Sequence, residues 1–370
     1  MQTKPLPPEV YAVILAGGSG TRFWPKSRHL QPKQLCKIGD NDSTMLELTL
    51  KRLDGLIPPE RRLIVTHQDQ MHKTRDLAAG LCKHFLAEPS AKNTAPALAL
   101  AALELEKLAS AQGVRPVMIS LHADALIKNP GAFHAALETM VKCAQEGYLG
   151  LLGITPAYPE TGYGYIEKEA QLPHLGSSYK VKSFREKPAK DLALQYVKSG
   201  RFLWNSGIFA WRTDVIIKEL EEFLPEAIRT LRSLPALETA KSLQELTVAE
   251  LAEAYNRLPS IAIDPAVLEK SQRVVVLEAD IGWKDVGSWD ALDDCFSPDS
   301  QGNLFFGDVT AIDCERITVD SDGPLIACVG VKDLVVVCSE GAILVCPKDR
   351  AQDVKKIVEH LKSTGRSELT

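Results

Sequence analysis

Residues 10–34 read VYAVILAGGSGTRFWPKSRHLQPKQ, and this stretch decides the fold. Val10 to Ala16 is an unbroken apolar run, the pattern of a strand buried on both faces within a parallel sheet. It stops at Gly17-Gly18-Ser19-Gly20, where only a loop can form. Backbone amides exposed by small residues just after a buried strand can cradle a phosphate. The loop is not a Walker A loop, because no Gly-Lys-Ser/Thr closes it. Nor is it a dinucleotide fingerprint, because Phe23 stands where the third small residue belongs.

Working outward, Thr44-Met45-Leu46-Glu47 is a capping box that opens a helix reaching Leu53. Leu63 to Thr66 is a second strand. A helix starts at Asn93-Thr94, takes Pro96 into its first turn, and runs through an Ala/Leu-rich stretch to Ala111. Val117 to Leu121 is a further strand, followed by Asp124. Strand alternating with helix predicts a mostly parallel sheet covered on both faces, whose ligands lie outside the carboxyl ends of the strands. The glycine loop and Asp124 both fall there. Residues 153–212 alternate strand-like pieces with polar turns, and 213–269 are amphipathic helix. From Gly302 the texture changes to short β-rich runs between Gly/Asp turns (308–319, 325–329, 334–338, 342–346), closed by a helix from Arg350 to Lys362. The expectation is an α/β Rossmann-like domain over 8–298 and a small β-rich domain over 302–370.

Composition narrows the function. The chain has 370 residues, 45% hydrophobic and 25% charged, and no stretch approaches the roughly 18 apolar residues of a membrane span. Three prolines and a glutamate within Met1 to Val10 are unlike a signal peptide. Eight scattered cysteines without a C-x-x-C pair read as reduced thiols of a cytoplasmic protein. A net charge of −5 speaks against bulk nucleic-acid binding. Yet no carboxylate lies between Val10 and Gly39, where Arg22, Lys26, Arg28, Lys33 and Lys37 supply +5, so the remainder carries −10. Such a cationic island points to a polyanionic ligand.

Leu15-Ala16-Gly17-Gly18-Ser19-Gly20-Thr21-Arg22-Phe23-Trp24-Pro25-Lys26-Ser27 with Pro32-Lys33-Gln34 resembles the signature of sugar-1-phosphate nucleotidylyltransferases. The Phe-Trp-Pro and Pro-Lys-Gln forms resemble the mannose-1-phosphate guanylyltransferases. Glu88-Pro89 with Asn93-Thr94-Ala95-Pro96, Phe184-x-Glu186-Lys187-Pro188, Trp204-Asn205-Ser206-Gly207 and Trp283-x-Asp285-x-Gly287-x-Trp289 follow in that family's order. The likeness covers about residues 10–362. It implies that the β-rich tail is a short left-handed β-helix and that the family's frequent dimerisation uses this tail. It also leads one to expect a monofunctional chain, since the cupin-type isomerase domain fused to many longer relatives does not follow residue 370.

The implied reaction joins GTP and mannose 1-phosphate into GDP-mannose and pyrophosphate, by attack of the sugar phosphate on the α-phosphate. The nucleophile ionises with a pKa of about 6, so no general base is needed. In-line positioning, neutralised phosphates and a divalent cation are needed instead. The resemblance assigns Leu15, Ala16, Gly17, Gly18, Ser19, Gly20 and Thr21 to the nucleotide, with Arg22 and Lys33 on its triphosphate. Asp124 and Asp285 would hold Mg2+, which favours one or two carboxylates completed by phosphate and water. Glu88, Asn93 and Thr94 are likewise expected on the nucleotide, with Glu88 accepting from guanine N1 and N2; its alternative role is to serve only the N-terminus of the helix that Asn93-Thr94 opens. Tyr163, Gly164, Glu186, Lys187 and Asn205 fall to the sugar phosphate. One block departs from the family, since His122-Ala123-Asp124-Ala125 replaces Pro-Ser/Ala-Asp-His. That change leaves open a non-catalytic regulatory homologue, and the motifs leave open another sugar 1-phosphate (heptose or glucose) or another nucleotide.

Overall fold

The apolar run forms strand β1 (Val10–Leu15), and every residue in it is buried. Its side chains alternate between two cores: Tyr11, Val13 and Leu15 enter one, Val10, Ala12 and Ile14 the other. A strand needs this continuous hydrophobicity only when helices cover both faces of its sheet. The computed structural model describes residues 4–18, 20–39, 42–110, 113–234 and 242–370. Ser19 and Ala111, on which expectations fell, lie outside the described residues.

In the first half, β2 (Arg62–His67), β3 (His84–Glu88) and β4 (Val117–His122) join β1 in parallel. The second half adds β6 (Leu149–Ile154), β7 (Gly164–Gln171), β8 (Ser178–Glu186), β9 (Phe202–Arg212) and β10 (Val274–Glu278). The nine strands take the order β3-β2-β1-β4-β9-β6-β10-β8-β7. Seven of them point one way, because only β8 and β9 run against their neighbours. The chain order reverses between β1 and β4, and a crevice opens at the carboxyl ends of such a pair. Helix α1 (Met45–Lys51) has the expected capping box, in which Glu47 N–H donates to Thr44 Oγ1 and Thr44 N–H donates to Glu47. It covers one face together with the helix Pro130–Gln145, whereas Thr94–Ser110 and Thr213–Phe223 cover the other.

A separate two-stranded ribbon stands above the crevice. In it, β5 (Ala125–Ile127) pairs antiparallel with β11 (Trp283–Asp285), Asp285 lying opposite Ala125.

The tail coils. Strands β12 (Leu304–Phe306), β14 (Thr318–Ser321) and β16 (Leu334–Ser339) stack in parallel, as do β13 (Val309–Ile312) and β15 (Ile326–Val329). Each rung repeats after 14 to 17 residues, from Leu304↔Thr318 to Val309↔Ile326, which makes this a short β-helix. Strand β17 (Ala342–Pro347) folds back on β16. A final helix, Val354–Ser363, buries Val354, Val358 and Leu361, a single apolar stripe.

This domain docks on the segment that follows the glycine loop. Phe23, Trp24, Cys36 and Ile38 share one core with Val335, Leu344, Val358 and Leu361. Lys26 Nζ donates to both Asp320 oxygens at 2.7 and 2.8 Å and lies 3.0 Å from Asp322. Arg28 donates to the carbonyls of Ser339 and Glu340, and Trp24 Nε1 to that of Leu369 at 2.7 Å. The cationic island is therefore not one phosphate clamp. Two of its five charges fasten the loop to the β-helix, and Lys37 is exposed. All eight cysteines are free thiols, and no described helix is long and apolar enough to cross a membrane.

Candidate active site

Leu15 and Ala16 are buried, and their backbones are committed. Ala16 N–H donates to Val65 O, Ala123 N–H donates to Leu15 O, and Gln34 Nε2 donates to Ala16 O at 2.7 Å. The loop can offer amides to a ligand only from Gly17 onward. Gly20 has φ +54°, and a Cβ there would stand 2.7 Å from the Cβ of Lys33, so only glycine lets the Pro32-Lys33-Gln34 turn pass beneath it. Ser27 Oγ donates to Gly20 O and fixes the turn from the other side. Thr21, Arg22 and Phe23 then form a 3-10 turn, with Phe23 packed on Trp289 at 5.0 Å between ring centres.

The two expected metal carboxylates meet. Asp124 follows β4 and precedes Ala125, the cross-strand partner of Asp285, so the ribbon sets residues 124 and 285 side by side. Lys33, which was expected on the triphosphate, is buried and pairs with Asp124 Oδ2 at 2.8 Å while donating to Val286 O at 2.5 Å. Burial alone would raise the Asp124 carboxyl, but Lys33 and His122 outweigh it and hold it below its ordinary value. Asp285 is pushed upward by burial and by the charge of Asp124, against Lys33 and Arg22. Among the described residues no three His, Cys, Asp or Glu side chains form a metal-binding group. A pair of carboxylates is nonetheless the donor set Mg2+ accepts when phosphate and water complete its shell.

Arg22 is exposed and reaches Gln352 of the final domain, donating from Nη1 to Oε1 at 2.9 Å, while Gln352 Nε2 donates to Ser288 Oγ at 2.6 Å. Arg22 and Asp285 line a cleft of about 570 Å³, and Gly162, Tyr163, Lys187 and Asp285 connect it to a second of about 330 Å³.

That second cleft gathers most of the other expected residues. Asn93, Thr94, Asp124, Tyr163, Gly164, Glu186, Lys187, Asn205 and Asp285 all line it. Tyr163 stands edge-on to Trp204 and Trp283, each at 5.3 Å. Gly164 lies opposite Glu186 in the sheet, where a Cβ would come within 2.6 Å of Glu186 Oε2. The residue must be glycine for the Glu186 carboxylate to lie across it. The departure at His122 is accommodated by the Trp-Asn-Ser-Gly stretch of β9: a Cβ on Gly207 would meet the His122 ring at 2.8 Å.

Glu88 lies outside that cleft and is buried at the end of β3. Tyr255 Oη donates to its Oε1 at 2.5 Å, and its Oε2 faces Gly17. It does not bond the helix N-terminus, where Asn93 Oδ1 accepts from Thr94 N–H instead. Burial raises its carboxyl to about 7 although Tyr255 opposes this. Tyr255, Gln352 and Asp264 are site neighbours that the sequence motifs did not disclose. Asp264-Pro265 carries only the mark of a helix start, and Tyr255 and Gln352 carry no local mark at all.

Residues 11–301 match the family model described as nucleotidyl transferase, and residues 307–361 match the MannoseP isomerase/GMP-like beta-helix domain. A mannose-1-phosphate guanylyltransferase of Klebsiella pneumoniae is 38% identical over 359 residues, covering 96% of this chain and 74% of that protein. One of Escherichia coli K12 is 39% identical over 377 residues, covering 97% and 75%. A crystal structure from Thermus thermophilus, described as a mannose-1-phosphate geranyltransferase, superposes with a TM-score of 0.84 at 36% identity, covering 96% of this chain and 99% of that one.

Proposed function

The chain belongs to the nucleotidyl transferase family, among the mannose-1-phosphate guanylyltransferases, and from that premise we propose how its clefts make GDP-mannose. GMP passes from GTP to mannose 1-phosphate, and pyrophosphate leaves. The observation that carries this reading is the meeting of Asp124 and Asp285 on the wall of one cleft that also holds Glu186, Lys187 and Asn205. An acidic pair and a polar wall for a phosphorylated sugar then adjoin the loop that follows β1.

In this reading the amides from Gly17 to Thr21 and the Arg22 guanidinium hold the triphosphate. Arg22 lines the larger cleft together with Asp285, suited to the charge that develops as pyrophosphate departs. Glu88 accepts from guanine, and Tyr255 fixes its orientation. Lys187 pairs with the sugar phosphate, while Glu186 and Asn205 take ring hydroxyls beneath Tyr163. Asp124 and Asp285 would hold a divalent cation, for which Mg2+ is our choice; bound there it would neutralise charge on the α-phosphate and the leaving group. Lys33 orients Asp124 and keeps it ionised, so its part in catalysis runs through that carboxylate. The attacking phosphate needs no base, and the protein's task is to align it with the bond being broken.

Incubating the purified protein with GTP, mannose 1-phosphate and Mg2+ should release pyrophosphate, and its absence would refute the reading. Lys33→Ala should lose most turnover; unchanged turnover would remove Lys33 from the machinery. We further propose a homodimer through the β-helix, where Ile312 and its cross-strand partner Val329 are exposed. Light scattering of the wild type and of Val329→Glu tests it, with a dimer and a monomer as the expected results.

A further inference from the structure

The wall of the smaller cleft contains a carboxylate that none of the sequence motifs includes. Asp264 opens a five-residue π-helical turn, Asp264–Leu268, whose Ala266, Val267 and Leu268 are buried and hold it rigidly. The residues before it are stitched to the start of Thr94–Ser110: Ala95 N–H donates to Ile261 O, and Ile263 N–H donates to Thr94 Oγ1 at 2.9 Å. Asp264 thus sits where the nucleotide side of the cleft meets the sugar side. Asn205 Nδ2 donates to its Oδ1 at 2.8 Å, and Asn205 Oδ1 accepts from Gly207 N–H. Among the described residues Asp264 forms no ion pair. Burial, reinforced by the charge of Glu186, raises its carboxyl to about 6.

A carboxylate without a cation, facing a second carboxylate across a cleft, destabilises the fold unless a ligand makes use of it. A phosphate would be repelled by Asp264 itself and would turn to Lys187, which lines the same cleft. A neutral polyol would not be repelled, because its hydroxyls donate hydrogen bonds and bring no charge. We propose that Asp264 is a specificity-determining residue for the sugar, accepting a hydrogen bond from one ring hydroxyl of the hexose 1-phosphate while holding the Asn205 amide for a neighbouring one. This rests on the assignment of the cleft to a sugar 1-phosphate. π-helical turns often mark functional positions in helical proteins, and this one directs a side chain into the cleft instead of into the core.

The experiment compares wild type, Asp264→Asn and Asp264→Ala on mannose 1-phosphate and its 2-, 3- and 4-deoxy analogues at saturating GTP. GTP binding without sugar and thermal unfolding are measured alongside. For Asp264→Ala, kcat/KM with mannose 1-phosphate should fall about 10- to 100-fold, as for a lost hydrogen bond to a charged acceptor. GTP binding should stay within about twofold of wild type. One deoxy analogue, poor with the wild type, should be used equally well by wild type and variant, because the bond it lacks is the one the substitution removes. Asp264→Asn should fold at least as stably as wild type and show the same analogue pattern. An equal loss on every analogue would overturn the proposal and reduce Asp264 to a support for Asn205; a loss of GTP binding would overturn it in favour of a nucleotide-side role. A wild type that ignores mannose 1-phosphate but turns over another hexose 1-phosphate would refute the assigned sugar, and the same series on that hexose would still decide the role of Asp264.

Discussion

Replacing Lys26 by methionine removes one ammonium at the junction of the two domains and keeps most of the stem's volume. Lys26 and Asp320 have side chains only 7% and 2% exposed, so water cannot take over the lost bonds; Asp322, at 43%, is screened and adds little. Taking the cation from a buried pair of this kind costs about 3–5 kcal/mol. At about 1.4 kcal/mol per tenfold, the β-helix should open from the catalytic domain roughly two to three and a half orders of magnitude more often. Native-state hydrogen exchange of the amides in 304–347 reads that opening directly, and the fluorescence of Trp24 and Trp289 in the shared core provides a second probe. Lys26→Met combined with Asp320→Leu should recover much of the loss, since an apolar pair of similar volume replaces a buried ion pair well. The pH dependence has a definite sign. Burial would lower the Lys26 ammonium, but Asp320 and Asp322 hold it above its ordinary value. A raised lysine gives its full stabilisation below the unfolded value of about 10.4 and loses it only as pH climbs through the folded one. The gap between wild type and variant should therefore be flat from pH 6 to 9 and shrink only in strong alkali. An opening free energy that changes by less than about 1 kcal/mol would refute the reasoning from burial.

Glu88, raised to about 7, is protonated in the free protein at lower pH and then cannot accept from both guanine donors. KM for GTP should rise as pH falls from 8 to 6, and Glu88→Gln should abolish this limb together with the preference for GTP over ITP. Because the folded pKa lies above the unfolded one, Glu88 itself makes the fold less stable as pH rises toward 7, and the variant should lose that slope in urea titrations. Gly164→Ala puts a methyl 2.6 Å from Glu186 Oε2; the displaced carboxylate should raise KM for the sugar phosphate about tenfold and leave GTP binding intact. Gln352→Ala frees Arg22 at an exposed site, so kcat/KM for GTP should drop only about two- to tenfold, with unfolding unchanged. In an Arg22→Ala background the same change should have no effect on turnover.

The first strand, the loop, the capping box at Thr44 and the helix from Thr94 were all legible because their signals are local. Each depends on residues within a few positions of one another. Strand β3 leaves no clear mark in HFLAE because it lies at the sheet edge, where several side chains are only half-buried and the hydrophobic run is broken. The partners of Lys26 and Arg28 stand about 300 residues further on, so a local charge count could only register an excess of cations. Lys33 gives the same local signal, and its bond to Asp124 appears only once β1 and β4 lie side by side. The motifs named both metal carboxylates, but the register that joins them belongs to the ribbon. Asp264 escaped for the same reason: its meaning comes from what faces it across the cleft.

The grip of the β-helix on the loop also has a consequence in time. Residues 17–34 leave the ribosome early, whereas the groups that fasten them, at Asp320, Ser339, Glu340 and Leu369, follow about 300 residues later. At about 5–20 residues per second, roughly 15 to 70 s separate the two. Throughout that interval Trp24, Lys26 and Arg28 lack the partners they have in the folded chain. The turn after the glycine loop thus gains its fastening only once the β-helix has been made, so its docking is a late event of synthesis.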